Sequence, residues 1–119
     1  MMTELENWTL IEGLDDWVGL AFIDARTRRM APSADDGQRE QQVASVASSL
    51  VSQGLMDAGT VQEHVGFVAW EGPREGWSDR IRAEIESGDI DSWGWGIWLT
   101  LTEAGEQVAA ELLPTRDAT

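Results

Sequence analysis

Cysteine, lysine and tyrosine are absent from this 119-residue chain, and histidine occurs only once. Without cysteine the chain has no disulfide, no thiolate nucleophile and no thiolate metal ligand. An imidazole metal site needs companion ligands, so we expect the single histidine, His64, to be a structural or surface residue. These absences exclude cysteine catalysis, and the sequence predicts neither a bound metal nor a cofactor.

Positive charge is also scarce, since eight arginines face 22 acidic residues and the formal net charge is −14. Such a charge aids solubility and repels polyanions, so it favours basic or neutral partners over nucleic acid. Residues 1–6 are acidic where a secretory signal would be basic. The longest apolar run, residues 17–23, is far too short to cross a bilayer. The sequence therefore predicts a cytoplasmic protein that does not enter a membrane.

The chain has the length and composition of one domain. Hydrophobic residues make up 42% of it, which is enough for a folded core at this length. Neither an internal repeat nor a linker interrupts the pattern. We expect a single domain over residues 1–114 and a flexible tail at residues 115–119.

Apolar periodicity predicts three helices in the first half of the chain. The first covers residues 3–14, and the second covers residues 19–30 after a short strand or hydrophobic staple at residues 17–18. A loop at residues 31–37 precedes the clearest helix, which stops at Gly54. The predicted core face of this third helix consists of Val43, Val46, Ala47, Leu50, Val51 and Leu55.

The second half mixes strands with helices. A run rich in valine and aromatic residues predicts a strand at residues 60–70, and a helix opening on proline is predicted at residues 73–86. The alternation of large residues with glycine predicts a second strand over residues 93–101. Thr102 is the expected N-cap of a closing helix that Pro114 ends.

Two short segments carry a likeness to a known fold. Residues 46–56, VASSLVSQGLM, are similar to the end of a recognition helix running into a wing. Residues 99–105, LTLTEAG, are similar to the exit from a wing into the closing helix. Together they resemble winged helix-turn-helix regulators of the multiple-antibiotic-resistance type. The resemblance implies a small α+β winged-helix-like domain, mostly helical, with a two- or three-stranded antiparallel sheet. The helix at residues 73–86 is then an insertion in the wing, and the resemblance also implies DNA binding and a homodimer formed through the terminal helices.

The charge pattern weighs against DNA binding. From residue 60 to residue 101 eight acids face three bases, and phosphates repel a wing of that sign. We expect Glu40 to neutralise Arg39, the one base of the third helix. The candidate nucleic-acid contact is the set of four bases that lie within 14 residues: Arg26, Arg28, Arg29 and Arg39. We favour helix capping and pairing with acids as the role of this arginine cluster.

Tryptophan is the most prominent residue type, with seven copies. Three of them fit apolar faces and are expected in the core: Trp8, Trp17 and Trp77. On the predicted strand at residues 93–101, Trp93 and Trp95 share one face and Trp98 takes the other. At least one of these three is then exposed unless the inserted helix covers it. The candidate protein interface is therefore Trp93, Trp95 and Trp98.

Catalytic and metal-binding patterns are missing from the sequence. Asp89 and Asp91 resemble the start of a calcium loop, but Trp93 and Thr100 stand where that loop needs oxygen ligands. The sequence has no nucleophile elbow, no phosphate-binding loop and no dinucleotide fingerprint. We therefore expect no catalytic residues and do not expect an enzyme.

These observations favour a non-enzymatic, acidic winged-helix-like protein that acts as an interaction or regulatory module. It is expected to bind a protein partner, and a basic protein matches its charge best. Two alternatives remain open. One is a DNA-binding transcriptional regulator that uses the arginine cluster. The other is an acidic inhibitor, either a DNA mimic or a toxin-neutralising protein.

Overall fold

Helices and short strands alternate along residues 2–117, the part of the chain that the computed structural model describes. The helices are α1 Glu4–Gly13, α2 Leu20–Met30, α3 Asp36–Ser52, α4 Trp77–Ser87, α5 Ile90–Gly96 and α6 Glu103–Asp117. The strands are β1 Val18–Gly19, β2 Met56–Gln62, β3 Gly66–Ala69 and β4 Trp98–Leu101, and a 3-10 turn, Arg74–Gly76, precedes α4. The predicted α+β class and the predominance of helix are confirmed.

All four strands belong to one antiparallel sheet in the order β1-β4-β2-β3. The central strand β4 places Leu99 opposite Val18 of β1 and opposite Ala58 of β2. All three side chains are buried, so this face of the sheet covers the core. On the other face Trp98 lies opposite Gly19. The sheet has one strand more than the largest sheet that we expected.

The extra strand comes from residues 60–70, where the prediction of a single strand was wrong. The segment is a hairpin in which Gln62 of β2 pairs with Gly66 of β3. His64 at the turn has a φ of 65° and Gly66 has a φ of 95°, and such left-handed backbone reverses the chain. Gly59 lets the two strands meet, because a Cβ atom there would overlap the carbonyl oxygen of Val68.

Residues 93–96 are helical, so the predicted strand over residues 93–101 was wrong in its first half. The side chain of Asp89 accepts a hydrogen bond from the backbone N–H of Ser92 at 3.0 Å and thereby caps α5. A Cβ atom on Gly94 would stand 3.1 Å from the Cβ atom of Ala21, so this glycine allows α5 to pack tightly on α2. Tertiary packing thus selects helix for a segment whose alternation also suits a strand.

Local hydrogen bonds explain where the predicted helices begin. Thr3 and Glu6 form a reciprocal capping box at the start of α1, and Asp35 and Gln38 form one at the start of α3. The predicted core face is confirmed for its five residues on α3, whereas Leu55 is buried but follows the helix, which ends at Ser52. The capping contacts join only neighbouring residues, so they do not depend on the tertiary structure.

The closing helix α6 begins as expected and runs further than expected. The hydroxyl of Thr102 accepts a hydrogen bond from the N–H of Gly105 at 3.0 Å, so the predicted N-cap is confirmed. The helix continues past Pro114 to Asp117, and the expectation that Pro114 ends it was wrong. Proline costs a helix one backbone hydrogen bond, but its fixed φ is compatible with helical geometry. Of the predicted tail, residues 118–119 lie outside the described residues.

The inserted segment between β2 and β4 is attached by stacked arginine and tryptophan side chains. The guanidinium of Arg80 lies 3.9 Å from the ring centre of Trp70, and that of Arg74 lies 4.9 Å from the ring centre of Trp77. The two indole rings meet edge to face at 6.4 Å. Arg74 also pairs with Asp57 of β2. Because both indoles are buried, the predicted inserted helix is an integral part of the domain.

Candidate functional site

Three aromatic side chains from three elements form a cluster that reaches the solvent. Phe22 of α2 meets Trp95 of α5 edge to face at 5.4 Å, and Trp98 of β4 lies 6.1 Å from Phe22 and 6.2 Å from Trp95. Phe22 is 46% exposed and Trp95 is 53% exposed, whereas Trp98 is partly buried. We call Phe22, Trp95 and Trp98 the aromatic surface.

The backbone fixes this arrangement at Trp98. Its indole N–H donates a hydrogen bond of 2.8 Å to the carbonyl oxygen of Trp95. Its ring covers Gly19 of the neighbouring strand, where a Cβ atom would stand 3.3 Å from the ring. Trp98 is therefore held in place, and the larger exposed areas belong to Phe22 and Trp95.

Trp93, the third residue of the predicted interface, does not reach the surface. Its side chain is 2% exposed and belongs to the core. Each residue of a helix is rotated by about 100° about the helix axis, so residues two positions apart are rotated by about 200°. Trp93 and Trp95 therefore face nearly opposite directions. The prediction that they share one strand face was wrong for this reason.

Sequence reasoning did not identify Phe22. It lies two positions after Leu20 and directly before Ile23, which are both buried on the core side of α2. A large aromatic residue on the outer side of an otherwise amphipathic helix was the available signal.

A groove of about 590 Å³ lies between α1 and α2, next to the aromatic surface. We call it the α1–α2 groove. Its aromatic lining consists of Trp8, Trp17, Phe22 and Trp98. Its charged lining consists of Glu12, Asp15, Asp16, Arg26 and Arg29.

Two of the three tryptophans expected in the core line this groove, and Trp8 also packs against the core. Trp17 is 39% exposed, and its ring lies 3.2 Å from the position that a Cβ atom on Gly66 would take. Trp8 is partly buried. The placement of Trp17 in the core was therefore wrong, whereas Trp77 is buried as expected.

Two members of the arginine cluster are paired within the protein. Arg28 donates to the buried carboxylate of Asp24 at 3.1 Å, and Arg39 lies 3.5 Å from the other oxygen of the same carboxylate. Arg39 also binds Asp36. The hydrogen bond to Asp36, supported by the charge of Asp24, raises the pKa of Arg39. The prediction that Glu40 neutralises Arg39 was wrong, because the carboxylates that Arg39 contacts are those of Asp24 and Asp36.

The other two members lie at the α1–α2 groove. The guanidinium of Arg26 stacks 5.6 Å from the ring centre of Trp8, and its Nε is buried without a hydrogen-bond partner among the described residues. Arg29 is exposed. The four arginines therefore do not form one free cationic surface.

Helix α4 covers part of α3. Ser78 of α4 donates to the carbonyl oxygen of Ser48 at 3.2 Å, and its hydroxyl lies 2.7 Å from that of Ser52. Ser48 is 4% exposed as a result. The N-terminal half of α3 presents Gln38, Gln41 and Gln42 to solvent, and Ser52 at its other end is exposed beside α4.

The remaining candidates for chemistry have structural positions. His64 is 89% exposed on the hairpin turn, and its only close carboxylate within the described part of the chain is Glu63 at 3.6 Å. Across the residues that the structure describes, no three side chains of the metal-binding types lie close enough to hold an ion. Every helix in that same part is too short or too polar to cross a bilayer.

Comparisons of this chain with protein-family models, with curated proteins and with solved structures find no match.

Proposed function

We propose that this protein is a non-enzymatic, winged-helix-like interaction module whose aromatic surface binds a basic protein partner. The exposure of Phe22 and Trp95, packed edge to face at 5.4 Å, carries the proposal. Aromatic side chains are enriched at interfaces because each one buries a large area at a small cost in side-chain entropy. Leaving two such rings in water is unfavourable unless another surface covers them.

The charge of the chain supports a basic partner. At a net charge of −14, association with an acidic protein or with nucleic acid is opposed by long-range repulsion. Arg28 and Arg39, two of the four members of the arginine cluster, share the carboxylate of Asp24. A basic partner is attracted by the same field, and the aromatic surface supplies the apolar contact.

The order of elements supports the winged-helix part of the proposal. Without the inserted segment, α1, β1, α2, α3, β2, β4 and α6 follow one another, and β4 pairs with both β1 and β2. This order agrees with that of a winged helix whose wing is formed by β2 and β4. The packing of α4 on α3 departs from it and removes part of the helix that would enter DNA.

The test compares affinity capture by the wild type, by Phe22→Ala/Trp95→Ala and by Val65→Ala. Val65 is a matched control, because it is 68% exposed and apolar but lies outside the aromatic surface. We expect a basic protein to be retained by the wild type and the control and to be lost with the double variant. Titration of the purified partner should then show a loss in affinity of about tenfold or more.

Two results would contradict the proposal. Equal retention by all three proteins would show that the aromatic surface is not the contact. Retention by all three that disappears at about 0.5 M salt would instead support the acidic inhibitor, because screening weakens contacts made by charge alone.

A further inference from the structure

Charges of both signs line the α1–α2 groove without meeting each other. Glu12, Asp15 and Asp16 lie on the side of α1 and the following turn, and Arg26 and Arg29 lie on α2. Among the described side chains, no ion pair within 4.0 Å joins the two sides. Other carboxylates of this chain do pair with the arginines near them, so the groove is an exception.

Arg26 lines this groove and has no acceptor for its charge among the described residues. Its Nε is buried and makes no hydrogen bond within the described part of the protein. A buried charged donor without an acceptor is destabilising, and a carboxylate is the acceptor that matches a guanidinium best. The stacking of Arg26 on Trp8 at 5.6 Å holds the guanidinium in the wall of the groove.

The space between the charged sides suits an aromatic or apolar body. Trp8, Trp17, Phe22 and Trp98 line it, and aromatic rings pack well on indoles, either offset or edge to face. A volume of about 590 Å³ is that of a small-molecule site.

We propose that the α1–α2 groove binds a small zwitterion with an aromatic body, of the amino-acid class. Its carboxylate faces Arg26 and Arg29, and its ammonium group faces Glu12, Asp15 and Asp16. Its ring lies on the tryptophans between them. Each charged end meets the opposite sign, and a ligand that lacks either end leaves one side of the groove unpaired. The groove shares Phe22 and Trp98 with the aromatic surface but not Trp95, and this site goes beyond the protein interaction proposed above because its ligand is a small molecule.

The first experiment titrates the protein with L-phenylalanine and follows the tryptophan indole N–H signals by NMR. Two matched compounds serve as controls: 3-phenylpropionate lacks the ammonium group, and 2-phenylethylamine lacks the carboxylate. We expect saturable shifts of Trp8, Trp17 and Trp98 with a Kd of about 1 mM or tighter, and no shift of the buried Trp70 and Trp93. Both control compounds should bind at least about fivefold more weakly.

The second experiment uses charge variants on opposite sides of the groove. Arg29→Gln should weaken L-phenylalanine and 3-phenylpropionate but not 2-phenylethylamine, whereas Asp15→Asn should weaken L-phenylalanine and 2-phenylethylamine but not 3-phenylpropionate. Both residues are exposed, so neither change disturbs the core. Arg82→Gln on α4 is the matched control and should change nothing.

Two outcomes would overturn the proposal. One is the absence of saturable shifts up to about 10 mM. The other is equal binding of L-phenylalanine and 3-phenylpropionate, since the acidic side would then play no part. A Trp95→Ala variant should bind L-phenylalanine as the wild type does, so failure here and failure of the protein interaction are distinguishable.

Discussion

Gly105 of α6 lies directly against the backbone of Leu55, and a Cβ atom at position 105 would overlap the carbonyl oxygen of Leu55. The same carbonyl accepts a hydrogen bond of 3.0 Å from the N–H of Thr102, and the hydroxyl of Thr102 donates to the carbonyl of Gly54 at 2.6 Å. The start of the closing helix is thereby attached to the segment that joins α3 to β2. This contact explains why glycine stands where a capping box would have glutamate.

Replacing Gly105 with alanine is expected to destabilise the fold by about 2–4 kcal/mol, because a backbone carbonyl cannot move away as a side chain would. The free energy of unfolding in urea measures the effect. Gly37→Ala in α3 is the control, since its Cβ atom would meet nothing closer than 3.5 Å and alanine favours helix. Equal effects of the two changes would contradict the close approach of Gly105 to Leu55.

Trp93 and Trp95 should differ sharply when each is replaced by alanine. Trp93 is 2% exposed, so Trp93→Ala should cost about 3–5 kcal/mol of stability. Trp95 is 53% exposed, so Trp95→Ala should cost about 1 kcal/mol or less. Chemical denaturation of both variants tests the helical placement of these residues. Similar losses would instead favour the strand, in which the two side chains share a face.

The carboxylate of Asp24 joins α2 to the start of α3 through Arg28 and Arg39. Asp24→Asn should lower the melting temperature by about 4 °C or more. The change removes the negative charge and replaces one buried carboxylate oxygen with an NH2 group, which would face an arginine with a donor instead of an acceptor. The exposed pair of Arg80 and Glu84, at 2.7 Å, gives the matched control Glu84→Gln. The melting temperature of the Glu84→Gln variant should stay within about 2 °C of that of the wild type. A fall of the same size in both variants would mean that burial adds nothing to the Asp24 contacts.

DNA binding is expected to be negligible, because the arginine cluster is divided between Asp24 and the α1–α2 groove. Fluorescence anisotropy with duplex DNA at about 20 mM and about 150 mM salt measures it. The double variant Arg28→Glu/Arg29→Glu should then behave like the wild type. Salt-sensitive binding that this variant abolishes would favour the transcriptional regulator and contradict the proposed protein interaction.

Short-range signals in the sequence located most of the helices. The side chains of Thr3 and Asp35 each accept a hydrogen bond from the backbone N–H three residues ahead. In α3 the apolar residues recur every three or four positions, which is about one turn of helix. Such signals involve residues close together along the chain, so they can be read without a fold. The same reasoning identified the N-cap at Thr102. It also predicted a helix that opens on Pro73, but residues 74–76 form a 3-10 turn and α4 begins at Trp77.

By itself the sequence determined the charge of this protein, the absence of thiol chemistry, the α+β class and the approximate starts of most of its helices, because these depend on composition or on neighbouring residues. Only the tertiary structure decided that residues 93–96 are helical, since alternating tryptophan and glycine suits both conformations and contact with Ala21 of α2 selects one. The same is true of the sites. Trp8 and Trp98 line one groove although 90 positions separate them, and Trp93 is buried while Trp95 is exposed. Such proximity comes from chain folding over long distances, which no local pattern records.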